Sequence, residues 1–135
     1  MSIASGNFST CAIATDETLH CWGLGTAADD PSAANCLSQW MDGQSVPPAG
    51  QFRAVTVSVS HACAVREDGT LACWGAGTAD TCGGGVDCRQ SRPPSGTFEQ
   101  VGVGVYHSCA ISAARKVVCW GFDQAGLLDP PAELR

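Results

Sequence analysis

Three stretches share one pattern, a short apolar run on either side of a polar tip. Cys-Ala-Ile over 11–13 is followed by Leu-His-Cys-Trp over 19–22, Cys-Ala-Val over 63–65 by Leu-Ala-Cys-Trp over 71–74, and Cys-Ala-Ile over 109–111 by Val-Val-Cys-Trp over 117–120. A period of two is that of a β-strand, whose side chains point alternately to opposite faces. Each stretch folds back about a polar tip. Centring the second on Asp68 sets Arg66 opposite Thr70, Val65 opposite Leu71, Ala64 opposite Ala72 and Cys63 opposite Cys73. The tip Glu67-Asp68-Gly69 suits a type I turn closed by a left-handed glycine. The same folding pairs Cys11 with Cys21 and Ile13 with Leu19, then Cys109 with Cys119 and Ile111 with Val117, with Glu17 and Arg115 standing where the second copy has its turn glycine.

Each predicted hairpin is apolar on both faces. Trp22, Trp74 and Trp120 fall opposite their neighbouring cysteines, on the side of Ala12, Ala64 and Ala110. A sheet of this kind sits between two other layers. Before the second and third hairpins run Val55-Thr56-Val57-Ser58-Val59 and Val101-Gly102-Val103-Gly104-Val105, read as further strands, with a degraded version in Ile3-Ala4-Ser5-Gly6-Asn7. After each Cys-Trp-Gly a variable stretch ends in Pro-Pro at 47–48, 93–94 and 130–131, which suits an outer edge strand. The first cysteines of the copies lie 52 and 46 residues apart, a period typical of propellers and solenoids. The predicted fold is all-β: three blades over about 2–50, 51–96 and 97–135.

The string His-x-Cys-Ala-Val-x-x-Asp-Gly-Thr-Leu-x-Cys-Trp-Gly from His61 to Gly75, with Pro-Pro-x-Gly-x-Phe beyond it at 93–98, resembles the bacterial branch of the regulator of chromosome condensation repeat family. The resemblance extends over essentially the whole chain. It implies a β-propeller of four-stranded blades, typically seven of them, whereas this chain of 135 residues holds three units. Two arrangements fit: a section of a longer propeller, or a short chain whose copies associate head to tail into a ring or filament. We take the second as the expectation, with Ile3 of one copy packing near Val117, Trp120 and Leu134 of its neighbour.

Nine cysteines in a chain this short point to an oxidising compartment, extracellular or periplasmic. Six form the opposed pairs Cys11–Cys21, Cys63–Cys73 and Cys109–Cys119, each predicted to be a disulfide stapling its own hairpin. In the chain-entropy model such a short loop contributes roughly 2 to 3 kcal/mol. Seven basic against 13 acidic residues leave a net charge of −6 with no basic cluster, which argues against nucleic acid. No apolar run reaches the length of a membrane span.

From the second hairpin cysteine to Pro-Pro takes 26 residues in the first copy, 20 in the second and 11 in the third. The two insertions carry Cys36, Cys82 and Cys88. A loop disulfide Cys82–Cys88 would leave Cys36 unpaired; a bond from Cys36 to either is the alternative, and both remain open. Trp40 and Met41 form a candidate contact anchor or cap. Asp29, Asp30, Asp42, Asp80 and Asp87 read as a solvated acidic rim, since none follows a calcium-loop spacing. Cys82, Cys88 and Cys36 match zinc spacing poorly. His61 and His107 share one repeat position, Ser9 in the first copy, and read as polar strand-end residues. The chain lacks the usual nucleophile, phosphate-loop and metalloprotease motifs.

The expected function is therefore non-enzymatic, with no cofactor and no metal: a secreted protein that self-associates through its open blade ends. The alternative is a protein-binding module acting through the insertion loops, as the resemblance implies for secreted propellers that inhibit β-lactamases. Guanine-nucleotide exchange, known in the eukaryotic branch, conflicts with the cysteines and the acidic charge.

Overall fold

A computed structural model describes residues 1–25, 43–78 and 88–135. The predicted Cys36, Trp40, Met41 and Cys82, and the five insertion aspartates, lie outside the described residues. Nine strands run β1 (Ser2–Ser5), β2 (Ser9–Ile13), β3 (Leu19–Gly23), β4 (Phe52–Val57), β5 (His61–Arg66), β6 (Leu71–Gly75), β7 (Phe98–Val103), β8 (His107–Ser112) and β9 (Val117–Gly121). Among the described residues a 3₁₀ turn, Ala132–Leu134, follows. The strands form three antiparallel sheets, ordered β1-β2-β3, β4-β5-β6 and β7-β8-β9.

The hairpins have the register expected from the sequence, with Cys11 opposite Cys21, Cys63 opposite Cys73 and Cys109 opposite Cys119. All three pairs are disulfides with Cα separations of 4.1, 4.1 and 4.0 Å, near those of closely spaced, non-hydrogen-bonded strand partners. At the tips Glu17, Gly69 and Arg115 all adopt positive φ, 68°, 85° and 60°. The turn demands a left-handed residue, so the two non-glycine copies carry a backbone cost that the second avoids. Asp16 and Asp68 brace two of the tips, each accepting both the backbone N–H and the hydroxyl of the threonine two residues on. These bonds hold both carboxyls below the usual carboxylate range.

Two expectations are corrected. The first strands begin and end earlier than the valine alternation suggests: Val59 and Val105 sit in reversals where Ser58 and Gly104 donate to the carbonyls of His61 and His107 at 2.9 and 2.8 Å. A bulge between Phe52 and Ala54, repeated between Phe98 and Gln100, extends the strands at their other end. The four-stranded blade implied by the family resemblance is also not formed among the described residues. Each sheet has three strands, and the Pro-Pro segments are not strands. Two successive prolines remove two ladder donors, and the residues before them close a tight turn instead. Val46, Arg92 and Asp129 donate to the carbonyls of Gly43, Arg89 and Gly126 at 2.9, 2.9 and 3.1 Å.

The sheets stack face to face, β2 against β4 and β5 against β7, with the first strands β1, β4 and β7 adjoining along the inner edge. A Cβ on Gly6 would run into the carbonyl of Ser58, so this close approach needs a residue without one. The core lies between blades. Cys11, Ile13 and Leu19 pack against Phe52, Ala62, Ala64 and Trp74. Phe52 and Phe98 also tie neighbouring blades through the backbone, their N–H groups donating to the carbonyls of Glu17 and Gly69 at 2.8 Å each.

Two substitutions test this account. Phe52→Ala, at a fully buried position, should lower unfolding free energy by about 3 to 5 kcal/mol. Arg115→Gly should raise it by about 1 kcal/mol by relieving the left-handed backbone. Denaturant unfolding under non-reducing conditions measures both; an unchanged Arg115→Gly midpoint would contradict the strain assigned to the turn.

Candidate interaction faces

Burial along the three middle strands changes phase from blade to blade. In β2 the buried residues are Ser9, Cys11 and Ile13; in β8 they are Ser108 and Ala110; in β5 every residue from His61 to Val65 is buried. Counted from each hairpin cysteine, the positions buried in β2 and in β8 belong to opposite sides of the repeat. Blade 1 therefore covers its cysteine side and leaves its alanine-tryptophan side open. Blade 3 does the reverse, and blade 2 is covered on both.

The open side of blade 1 carries Ile3, Thr10, Ala12, His20 and Trp22. Ile3 is 67% exposed and Trp22 50%, whereas Trp74 in the covered blade is 7% exposed. The open side of blade 3 is a shallow, mainly apolar groove lined by Gln100, Gly102, Cys109, Ile111 and Val117. Of the residues predicted for an interface, Ile3 and Val117 thus lie on the two open sides. Leu134 is 45% exposed in the 3₁₀ turn. Trp120 is half-buried in the joint between blades 2 and 3, and Trp22 holds the corresponding place on the open side.

The two internal joints show how such sides fit together. In both, a tryptophan indole N–H donates to a backbone carbonyl in the turn leading out of the previous blade: Trp74 to Gln44 and Trp120 to Gln90, each at 2.9 Å. The glutamines themselves are fully buried beside Gly25 and Gly77, where a Cβ would collide with the Gln44 and Gln90 amides. Ser45 and Ser91 fasten these turns by donating to the carbonyls of Leu24 and Ala76. Sequence reasoning missed these turns, although Gln-Ser-x-Pro-Pro occurs twice, at 44–48 and 90–94, and could have marked them.

The joints differ at one polar position. Between blades 2 and 3, His61 is fully buried and its Nε2 lies 3.0 Å from the Ser108 hydroxyl, which donates to the Gln90 carbonyl at 3.0 Å. Because the hydroxyl proton is directed to Gln90, Nε2 carries the imidazole proton and Nδ1 keeps its lone pair, buried without a partner. Burial, with a smaller contribution from nearby His107, lowers the His61 pKa to about 4. In the joint between blades 1 and 2 the corresponding residues are Ser9 and Ala62.

Cys88 takes part in a disulfide bond; its predicted pairing with Cys82 or Cys36 lies outside the described residues. Among the described residues no group of three or more His, Cys, Asp or Glu is placed to hold a metal ion. No helix among them is long and apolar enough to cross a membrane.

Three-stranded antiparallel sheets stacked in this way, with their first strands together along one edge, are the blades of a β-propeller. The chain belongs to the regulator of chromosome condensation (RCC1) repeat family, whose sequence model matches residues 2–27, 52–83 and 98–126, more than half of the chain. Solved propellers share the fold. The CRINKLY WD40 ectodomain of the Arabidopsis thaliana receptor kinase ACR4 is 21% identical with a TM-score of 0.60, the match covering 90% of this chain and 36% of that one. Prp20p of Saccharomyces cerevisiae is 19% identical with a TM-score of 0.63, covering 94% and 34%. The C-terminal domain of gp131 from bacteriophage phiKZ is 17% identical with a TM-score of 0.61, covering 99% and 39%. The chain spans little more than a third of the length of these structures. No curated protein sequence matches it.

His61 generates a pH prediction. Its folded pKa lies below the ordinary 6.5, so the folded state binds the proton less readily than the unfolded chain. The stability that depends on neutral His61 is fully present above about pH 6.5 and is lost as pH falls toward about 4, a change on the order of 3 kcal/mol. Unfolding free energies measured across that window should slope downward in acid, and His61→Gln should flatten the slope. An equal slope in both proteins would place the titration elsewhere.

Proposed function

We propose that this is a non-enzymatic interaction protein of an extracellular or periplasmic space, and that its copies join head to tail through the open sides of blades 1 and 3. The carrying observation is the change of burial phase. The side left open on blade 1 is of the kind that blades 2 and 3 press against their predecessors, and the side left open on blade 3 is of the kind that receives it. Each side carries apolar residues, Ile3, Ala12 and Trp22 on one and Cys109, Ile111 and Val117 on the other, and each has its complement on the other end of an identical molecule. Such a heterologous contact makes a ring when the rotation closes and a filament when it does not.

The disulfides support an oxidising location, since thiols of cytosolic proteins are kept reduced. Blades of this fold also occur in an ectodomain and in a protein described by its binding to Gsp1p and histones, so an interaction role fits the architecture. Among the described residues the open sides carry Ile3, Ala12, Trp22, Ile111 and Val117 and no set of groups arranged as nucleophile, base and charge stabiliser, which supports binding over catalysis.

Sedimentation or native mass measurement should show particles of two or more chains, growing with concentration. Ile3→Asp, which spoils the open side of blade 1, and Val117→Asp, which spoils that of blade 3, should each leave a monomer with its three hairpin disulfides formed. Mixing the two variants should give a one-to-one dimer that grows no further, because one sound side of each kind remains. A wild-type protein that stays a single chain at every concentration overturns the reading. Variants that fail to pair when mixed overturn its head-to-tail geometry.

A further inference from the structure

The internal joints carry more than apolar contact, and their polar parts recur on the open sides. The turn that presents the Gln44 and Gln90 carbonyls has a left-handed residue just before the glutamine, Gly43 with φ 76° and Arg89 with φ 60°. The chain repeats this turn after blade 3, where Gly126 has φ 80° and Asp129 donates back to its carbonyl. Leu127 follows Gly126 as the glutamines follow Gly43 and Arg89, and all three stand three residues before Pro-Pro. Its carbonyl is thus the third of a series whose first two members each accept an indole N–H. Trp22, the third tryptophan of the other series, is half exposed on the open side of blade 1.

A second pair of series ends the same way. At the strand-start position Ser9, His61 and His107 follow in order; at the position that meets it from the next blade stand Thr10, Ala62 and Ser108. Ser9 faces Ala62, which has no hydrogen-bonding side chain, and the Ser9 hydroxyl is buried without a partner. His61 faces Ser108, and the two are hydrogen-bonded. The members left over are a histidine, His107, and a hydroxyl, Thr10. Histidine is thus matched with hydroxyl at the open joint as it is at the joint between blades 2 and 3.

Resting on the head-to-tail reading, we propose that two hydrogen bonds set the register between copies: Trp22 Nε1–H of one copy to the Leu127 carbonyl of the next, and Thr10 of the first copy to His107 of the next. The apolar groove on blade 3 supplies contact area without a unique registration, since Ile3 can slide along Ile111 and Val117. A directional N–H donor and a matched imidazole-hydroxyl pair hold one setting. The Thr10 hydroxyl, whose partner among the described residues is the exposed Ser5 hydroxyl at 3.2 Å, is free to turn to the histidine.

The experiment uses the full chain and reads association and the indole protons together. Exchange of the Trp22 indole proton with solvent, followed by NMR or mass spectrometry, should slow at least tenfold as concentration drives assembly, while Trp74 and Trp120 stay protected throughout. Trp22→Phe should weaken association roughly tenfold, the loss of one hydrogen bond, without altering the unfolding midpoint of the dissociated chain. Thr10→Ala and His107→Ala should each weaken it several-fold, and the double variant by less than the product of the two, because they remove one shared contact. A protein that assembles while Trp22 keeps a fast-exchanging indole proton, or whose Thr10 and His107 effects multiply independently, overturns this register and leaves head-to-tail assembly standing. A wild-type chain that does not assemble overturns both.

Discussion

A three-stranded sheet that is apolar on both faces cannot shield itself from water, and the organisation of this protein follows from that. Each blade is one layer thick and holds almost no core of its own. Phe52, Ile13, Leu19, Val65 and Trp74 are buried between blades rather than within them. Full burial of a side chain such as Phe, Ile or Val is worth about 1.5 to 3 kcal/mol, so stability resides mainly in the joints. This is the behaviour of a quasi-one-dimensional repeat array, in which nearest-neighbour contacts carry most of the energy. The hairpin disulfides act at the other level, holding each thin sheet in register before any neighbour covers it.

Apolar faces alone would stack blades in several settings, and the polar contacts remove that freedom. The tryptophan that ends each Cys-Trp-Gly motif reaches back to a carbonyl in the turn leaving the previous blade. That turn is held in shape by a buried glutamine, a left-handed residue and a serine fastened to the chain. The Phe N–H that opens each following blade bonds the hairpin tip before it. The joint is therefore directional: a blade reads its predecessor by its tryptophan side and is read by its successor on its cysteine side. His61 adds a polar contact to one joint at the expense of an unpartnered ring nitrogen, which makes that joint the one most exposed to acid.

Directionality also connects fold to function. The stack of blades ends in two unlike faces, and these are the basis of the head-to-tail assembly proposed above. Six cysteines are oxidised within hairpins, and His61, Trp74 and Trp120 make hydrogen bonds within the joints. Membership of the RCC1 repeat family fits this reading, because the family's signature residues here are those that build and join blades.

The sequence by itself determined the repeat, the all-β fold, the hairpin register and the disulfide pairs, because these depend on separations within about a dozen residues. A Cys-x9-Cys segment with period-two alternation and a polar tip has one sensible way to fold back. That Ile3 and Val117 lie on the open sides of blades 1 and 3 was legible because both are apolar at positions that alternation sets on a face. The tertiary structure decided what depends on which blade lies beside which. It put Trp120 in a joint and left Trp22 on an open side, although their local sequences are alike, since only the neighbour differs. It also turned the Pro-Pro segments from edge strands into the ends of tight turns, two of which present the Gln44 and Gln90 carbonyls to the tryptophan of the next blade. Local pattern specifies a strand's two faces; only the packing of one blade on another selects which of them is covered.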